Sequence, residues 1–215
     1  MHIKVPSPED EDFKKLEELI DSDYEAVEIF TNIDTTKKEL DCFNIVNTQV
    51  ENFGGKAILG WQIWKSNLLI EAEAHAVWED QEENLHDISP KGNNFIPEKI
   101  LFIEDDRVKY EGKQIQNRRL NITKNKLVDD FISIARLLFH FQNKGKRAEY
   151  HDLSEILNDD EIDELQKVFT WKSNLEKYIY LGNDEKSLCF CGGAKNYKNC
   201  HGHYLKELIK NVKKL

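Results

Sequence analysis

The run Cys189-Phe-Cys191-Gly-Gly-Ala-Lys-Asn-Tyr-Lys-Asn-Cys200-His201 gathers three of the four cysteines of the chain and a histidine within 13 residues. The spacing is Cys-x-Cys, eight residues, then Cys-His. Three soft thiolates and one imidazole make a tetrahedral donor set of the kind that suits Zn²⁺. Gly192 and Gly193 supply the free backbone for a tight turn after the first two donors. A disulfide pair and a reduced thiol cluster are the alternative readings of the same residues. The fourth cysteine, Cys42, points to different chemistry. Asp41 precedes it as an N-cap for a helix, and a thiolate in a first helical turn is stabilised by backbone N–H groups and the helix dipole. His75 follows on a strand and Asp87 on the next, so antiparallel pairing can bring Asp87 beside the imidazole. That constellation is a nucleophile, a base and an orienting carboxylate. Cys42 is equally at home as a small apolar core residue.

The C-terminal run resembles the SEC-C motif, a small zinc-binding tail first known from the bacterial protein-export ATPase. The matching residues are Cys189, Cys191, Gly192, Lys195, Tyr197, Lys198, Cys200, His201 and Gly202, over about residues 186–204. Gly193 and Ala194 depart from the usual Ser and Gly. The resemblance implies Cys189, Cys191, Cys200 and His201 as ligands of a structural Zn²⁺, with every coordination position filled. It also implies a protein partner docked through the zinc knuckle and its basic helix.

The order Cys, His, Asp on helix, strand and strand resembles the papain-like superfold, most closely its transglutaminase-like branch. The strings concerned are Asp41-Cys42-Phe43, His75-Ala76-Val77-Trp78 and His86-Asp87-Ile88-Ser89-Pro90, within residues 37–104. The Trp falls one residue later than in that branch, and Ile-Ser-Pro follows the Asp where Pro-Thr is usual. The resemblance implies Cys42 as nucleophile, His75 as base and Asp87 as orienter, in a hydrolase or acyltransferase acting on an amide, ester or related acyl bond. Gly60-Trp-x-Ile-Trp64, Glu71-Ala-Glu-x-His75 and Asp87-Ile-Ser-Pro90 also look like an uncharacterised bacterial family that often carries SEC-C tails. Glu73 is a rival orienter of His75, and His86 a rival partner. The backbone N–H of Cys42, or the indole of Trp61 or Trp64, is the candidate oxyanion donor. Glu71, Glu73 and His75 share a strand face that could instead hold a metal, with Asp87 or His86 as fourth ligand. A non-catalytic adaptor that docks partners through the zinc knuckle is the alternative function.

Helices are expected over 8–21, 37–53 (with Leu40, Phe43, Val46 and Val50 on its apolar face), 126–142, 149–157, 159–180 and 203–215. Strands are expected over 57–64, 68–78, 85–89 and 100–103, with a short one near Arg107–Tyr110. Trp61, Trp64 and Trp78 read as the sheet's core. Residues 109–125 read as loop. The fold class is α+β: helices packed on a small antiparallel sheet, a helical connector and a C-terminal zinc knuckle. The expected divisions are 1–125, 126–185 and 186–215. The 215 residues carry a net charge of −10, unevenly spread. Residues 1–106 hold nine Lys/Arg against 25 Asp/Glu, whereas the last 30 residues hold seven Lys and one acid, Glu207. The acidic body argues against a broad nucleic-acid surface. The basic tail can meet the body or an anionic partner. No run is apolar enough to span a bilayer, and the N-terminus has no signal-like stretch. A reduced cysteine cluster then fits a cytoplasmic protein.

Overall fold

The computed structural model describes residues 3–39, 41–92, 96–149 and 152–212. The chain forms two compact units, residues 1–111 with 115–122, and residues 112–114 with 123–215.

The first unit is a curled antiparallel sheet with two helices. Helix α1 is Glu11–Ile20, strand β1 Val27–Phe30, helix α2 Cys42–Phe53, and strands β2 and β3 are Lys56–Lys65 and Leu69–Glu79. Strands β4 (Leu85–His86), β5 (Lys99–Glu104) and β6 (Arg118–Asn121) complete it. The strand order is β1-β5-β2-β3-β4, and β6 pairs with β3 as well. Beyond the ends of β1 and β4, Thr31 bridges Asp87, and Asn32 N–H donates to the Asp87 carbonyl at 2.8 Å. The two ends of the strand order therefore meet, and the sheet is nearly a barrel.

Period-two alternation decides what each face buries. Trp61, Ile63, Ile70, Ala72, Leu101 and Ile103 pack with Phe13, Leu16 and Ile20 of α1. Ala57, Ala76 and Trp78 lie on that same face and pack with Val46 and Phe43 of α2. The opposite face gathers Ile29, Ile58, Val77, Ile100 and Phe102. Asp10 caps α1, accepting from the N–H groups of Asp12 and Phe13, as N-cap carboxylates do. At the other end Arg107 donates to the Ile20 and Asp21 carbonyls, and Arg118 to those of Leu19 and Ile20. Both arginines thus satisfy carbonyls that the helix leaves open.

Helix α2 begins at Cys42, five residues after the expected start, and Leu40 lies outside the described residues. Residues 107–110 form no strand, because Arg107 folds back onto Asp105 and α1. The expected loop 109–125 contains β6 instead. Its Arg118 stacks over the Trp61 ring at 4.8 Å, and its Arg119 pairs with Glu71. The Trp61 side chain is core, whereas Trp64 and Trp78 are only partly buried.

The second unit contains α3 (Lys126–Gln142), α4 (Asp159–Tyr180) and α5 (His201–Val212). Asn158 and Glu161 form a capping box at the start of α4, which satisfies two open donors reciprocally. A short 3₁₀ turn, Leu153–Glu155, stands where a helix over 149–157 is expected, and another, Gly145–Glu149, follows α3. Residues 150–151 and 213–215 lie outside the described residues. Among the described residues no helix is long and apolar enough to cross a membrane.

Candidate functional site

Two clusters of chemistry-bearing side chains stand out, one in each unit. In the second unit, Cys189 N–H donates to the Lys195 carbonyl and Gly192 N–H to the Cys189 carbonyl, which closes the turn between the first two cysteines. Gly192 has φ 78°, a conformation glycine adopts without strain. A 3₁₀ turn, Tyr197–Asn199, capped by the Asn196 side chain, leads into Cys200, and His201 opens α5. Gly202 is required here because a Cβ would meet the buried Tyr197 ring at 2.7 Å. The result brings Cys189, Cys191, Cys200 and His201 together, with donor atoms all within 4.8 Å of one another. Cys191 Sγ lies 3.7 Å from Cys200 Sγ, and His201 Nδ1 lies 3.2 Å from Cys189 Sγ and 3.6 Å from Cys200 Sγ. All four cysteines are free thiols rather than disulfides. Phe190 and Trp171 flank the His201 ring, with centroids 4.5 and 5.3 Å away. This Cys₃His group could hold a metal ion, and it is the only such group among the described residues.

In the first unit, His75 is buried on β3, on the same face as Glu73 and Val77. Its Nε2 lies 3.0 Å from Asp87 Oδ1. Asp87 is fully buried just beyond β4, where the near-barrel closes. A third buried group, Lys91, was not among the candidates from sequence. Its Nζ lies 2.8 Å from Asp87 Oδ1, 2.7 Å from Oδ2 and 3.2 Å from His75 Nε2. Burial pushes the Asp87 carboxyl up, but His75 and Lys91 outweigh it and hold the group below its ordinary range. Burial, then the Lys91 charge, pushes His75 down, against the pull of Asp87.

Cys42 opens α2 as expected, but Asp41 makes no capping bond to the helix backbone and instead accepts from the Asn44 side chain. Between β6 and β4 the outer edge of β3 has no strand partner from Glu73 to Val77 among the described residues. At that edge Cys42 comes to the backbone of Ala76, the residue after His75. Burial pushes the Cys42 thiol up to about 11, against smaller opposing effects of the Ala76 backbone and Lys91. Desolvation therefore exceeds the helix-terminus effect that the sequence suggested. Among the described residues no hydrogen bond joins Cys42 to His75. A groove of about 700 Å³ runs beside α2, and its lining includes Asp41 and Ile88, the chain neighbours of Cys42 and Asp87.

The remaining candidates have other partners. The Trp61 indole donates to Asp105 at 2.8 Å and the Trp64 indole to Glu73 at 2.7 Å, so neither is an open oxyanion donor. Glu71 is engaged by Arg119 and Asn117, and Glu73 by Trp64, and among the described residues this strand face gathers no metal-ligating cluster. His86 pairs with Asp80 at 2.8 Å. Comparison of the chain with family models, with curated proteins and with solved structures finds no match.

Proposed function

We propose that the first unit carries a cysteine-dependent hydrolase or acyltransferase site of papain-like or transglutaminase-like type. Cys42 is the nucleophile, His75 the general base and Asp87 the residue that orients it. The substrate bond is an amide, ester or related acyl bond. The observation that carries this reading is the buried His75–Asp87 contact of 3.0 Å beside a helix that begins with Cys42. Burying a carboxylate, a lysine and an imidazole together costs several kcal/mol of desolvation, and such buried charged clusters concentrate at functional sites. With the thiol pushed up to about 11, the resting pair is neutral. As Cys42 Sγ attacks the acyl carbon, the thiol proton passes to His75, and Asp87 stabilises the imidazolium that forms. That proton then goes to the departing amine or alcohol, leaving a thioester. Water or a second nucleophile attacks the thioester carbon, gives up its proton to His75, and returns the thiol. The backbone N–H of Cys42, in the first turn of α2, suits the developing oxyanion.

The Cys₃His group in this reading is a structural Zn²⁺ knuckle of SEC-C type that holds the C-terminal segment and docks a protein partner. Zinc bonds of ~2.3 Å to sulfur and ~2.0 Å to nitrogen place tetrahedral sulfurs ~3.8 Å apart and sulfur ~3.5 Å from nitrogen. The 3.7 and 3.6 Å separations agree with that geometry, and the 3.2 Å from Cys189 Sγ to His201 Nδ1 is shorter than it.

The test is turnover of p-nitrophenyl esters and anilides by the zinc-loaded chain, with Cys42→Ala and Asp87→Asn alongside. We expect Cys42→Ala to fall to background at unchanged zinc content, and Asp87→Asn to lose roughly 10²–10⁴-fold. Equal rates in all three would remove the catalytic reading. The deep burial of Cys42 favours the second reading, an adaptor with no chemistry at this site. Under that reading Cys42→Ala changes stability only.

A further inference from the structure

Lys91 lies just after Pro90, and only 8% of its surface is exposed. An ammonium this buried needs its charge met. Asp87 meets it as an ion pair, with Oδ1 accepting a hydrogen bond at 2.8 Å and Oδ2 2.7 Å away without an aligned hydrogen bond. Yet Oδ1 of the same carboxylate also lies 3.0 Å from His75 Nε2, and Nζ lies 3.2 Å from that nitrogen. The three groups close a triangle. Its hydrogen bonding is constrained, because an ammonium only donates and an ionised carboxylate only accepts. Nε2 cannot donate to Asp87 and accept from Lys91 at once. An ionised Asp87 at 3.0 Å requires the hydrogen on Nε2, so the Nζ–Nε2 contact joins two donors and is held only by the shared carboxylate. A second proton on the ring would set two full positive charges side by side.

We propose that Lys91 is a positioning residue of this site, which shares Asp87 with His75 and so keeps the imidazole uncharged, with its hydrogen on Nε2 and Nδ1 as the base. This deepens the cysteine-hydrolase reading and rests on it for the role of the base. The titratable groups of β3 and α2 nearby do not undo it. Glu73, on the same strand face, is pushed up by burial and engaged by the Trp64 indole. Cys42, on α2, is a neutral thiol because burial pushes it up to about 11. Lys91 thereby disfavours a standing thiolate–imidazolium pair, and the proton moves only when the substrate carbonyl is attacked.

The experiment is a ¹⁵N-imidazole NMR titration of the full zinc-loaded chain, with His75 assigned by His75→Gln, in wild type, Lys91→Met and Lys91→Arg. In wild type we expect the neutral Nε2–H tautomer to persist well below the ordinary histidine midpoint of about 6.5. Loss of the neighbouring charge in Lys91→Met should raise the midpoint by about one pH unit or more. Lys91→Arg, which retains the charge, should stay near wild type. An Nδ1–H tautomer in wild type, or the same midpoint in wild type and Lys91→Met, would overturn the proposal. The tautomer is read on the wild-type chain and needs no variant to fold. Absence of ester turnover would remove the catalytic reading and leave this titration unchanged, so the two failures are distinguishable.

Discussion

At the residue scale, the chemistry of the first unit is set by burial more than by sequence neighbours. His75 is pushed down by burial and by Lys91. Below about pH 6.5 the unfolded chain therefore takes up a proton that the folded chain refuses, and stability falls with pH until the folded group titrates. Asp87, held below its ordinary range, contributes stability above about pH 3.8 that is lost as pH falls through its folded value. Both act in the same direction, against the folded state in acid. We predict that His75→Gln flattens the loss of stability between pH 7 and 5, by up to about 1.4 kcal/mol per pH unit. Urea midpoints at three pH values measure it, and parallel curves for the two proteins would contradict the assignment. Cys42, His75 and Asp87 could be proposed from sequence because residue type, order and strand alternation are local properties. Lys91 could not, since a lysine after Ser-Pro reads as surface. Its burial beside Asp87, next to the bridge of Thr31 and Asp87, is a tertiary property. The thiol's upward shift was also illegible, because desolvation depends on what packs over α2.

At the element scale, β2 is the strand on which the sheet turns, and Gly60 is its close point. It stands opposite His75 on one side and Glu104 on the other. A Cβ there would sit 2.0 Å from the Ile103 carbonyl oxygen. Gly60→Ala should cost about 1–3 kcal/mol by forcing β5 away from β2. Chemical denaturation measures this, and a change below about 0.5 kcal/mol would show that the sheet absorbs the methyl freely. The long helices α3 and α4 and the hairpin of β2 and β3 are legible because their periodicity runs for ten residues or more. Strand β6 is not. Arg118-Arg119-Leu120-Asn121 shows no apolar alternation, and its pairing comes from tertiary partners, Trp61 beneath Arg118 and Glu71 beside Arg119. The region between α3 and α4 misled in the opposite sense. A helix is expected over 149–157, but the described part forms a short 3₁₀ turn, Leu153–Glu155.

At the scale of the whole molecule, two compact units divide the chain, and each candidate site lies within one of them. The acidic and basic halves of the sequence follow nearly the same division. The second unit contains the Cys₃His group together with α3, α4 and α5. The Cys₃His cluster was legible in the sequence, because four donors at short spacing need little tertiary information. We predict one zinc per chain by elemental analysis, lost in Cys200→Ser. Metal removal should open residues 186–201 to protease, because structural zinc contributes on the order of 10 kcal/mol to small sites. Two zincs per chain would point to a further metal site, and none would remove the knuckle. The central claim is that Cys42 forms an acyl intermediate with the help of His75. Intact-mass measurement of the zinc-loaded chain, quenched in acid during turnover of p-nitrophenyl acetate, tests it most directly. One added acetyl group that maps to Cys42 and is absent in His75→Ala is the predicted result. An unmodified Cys42, or acetylation that is indifferent to His75, would contradict the account.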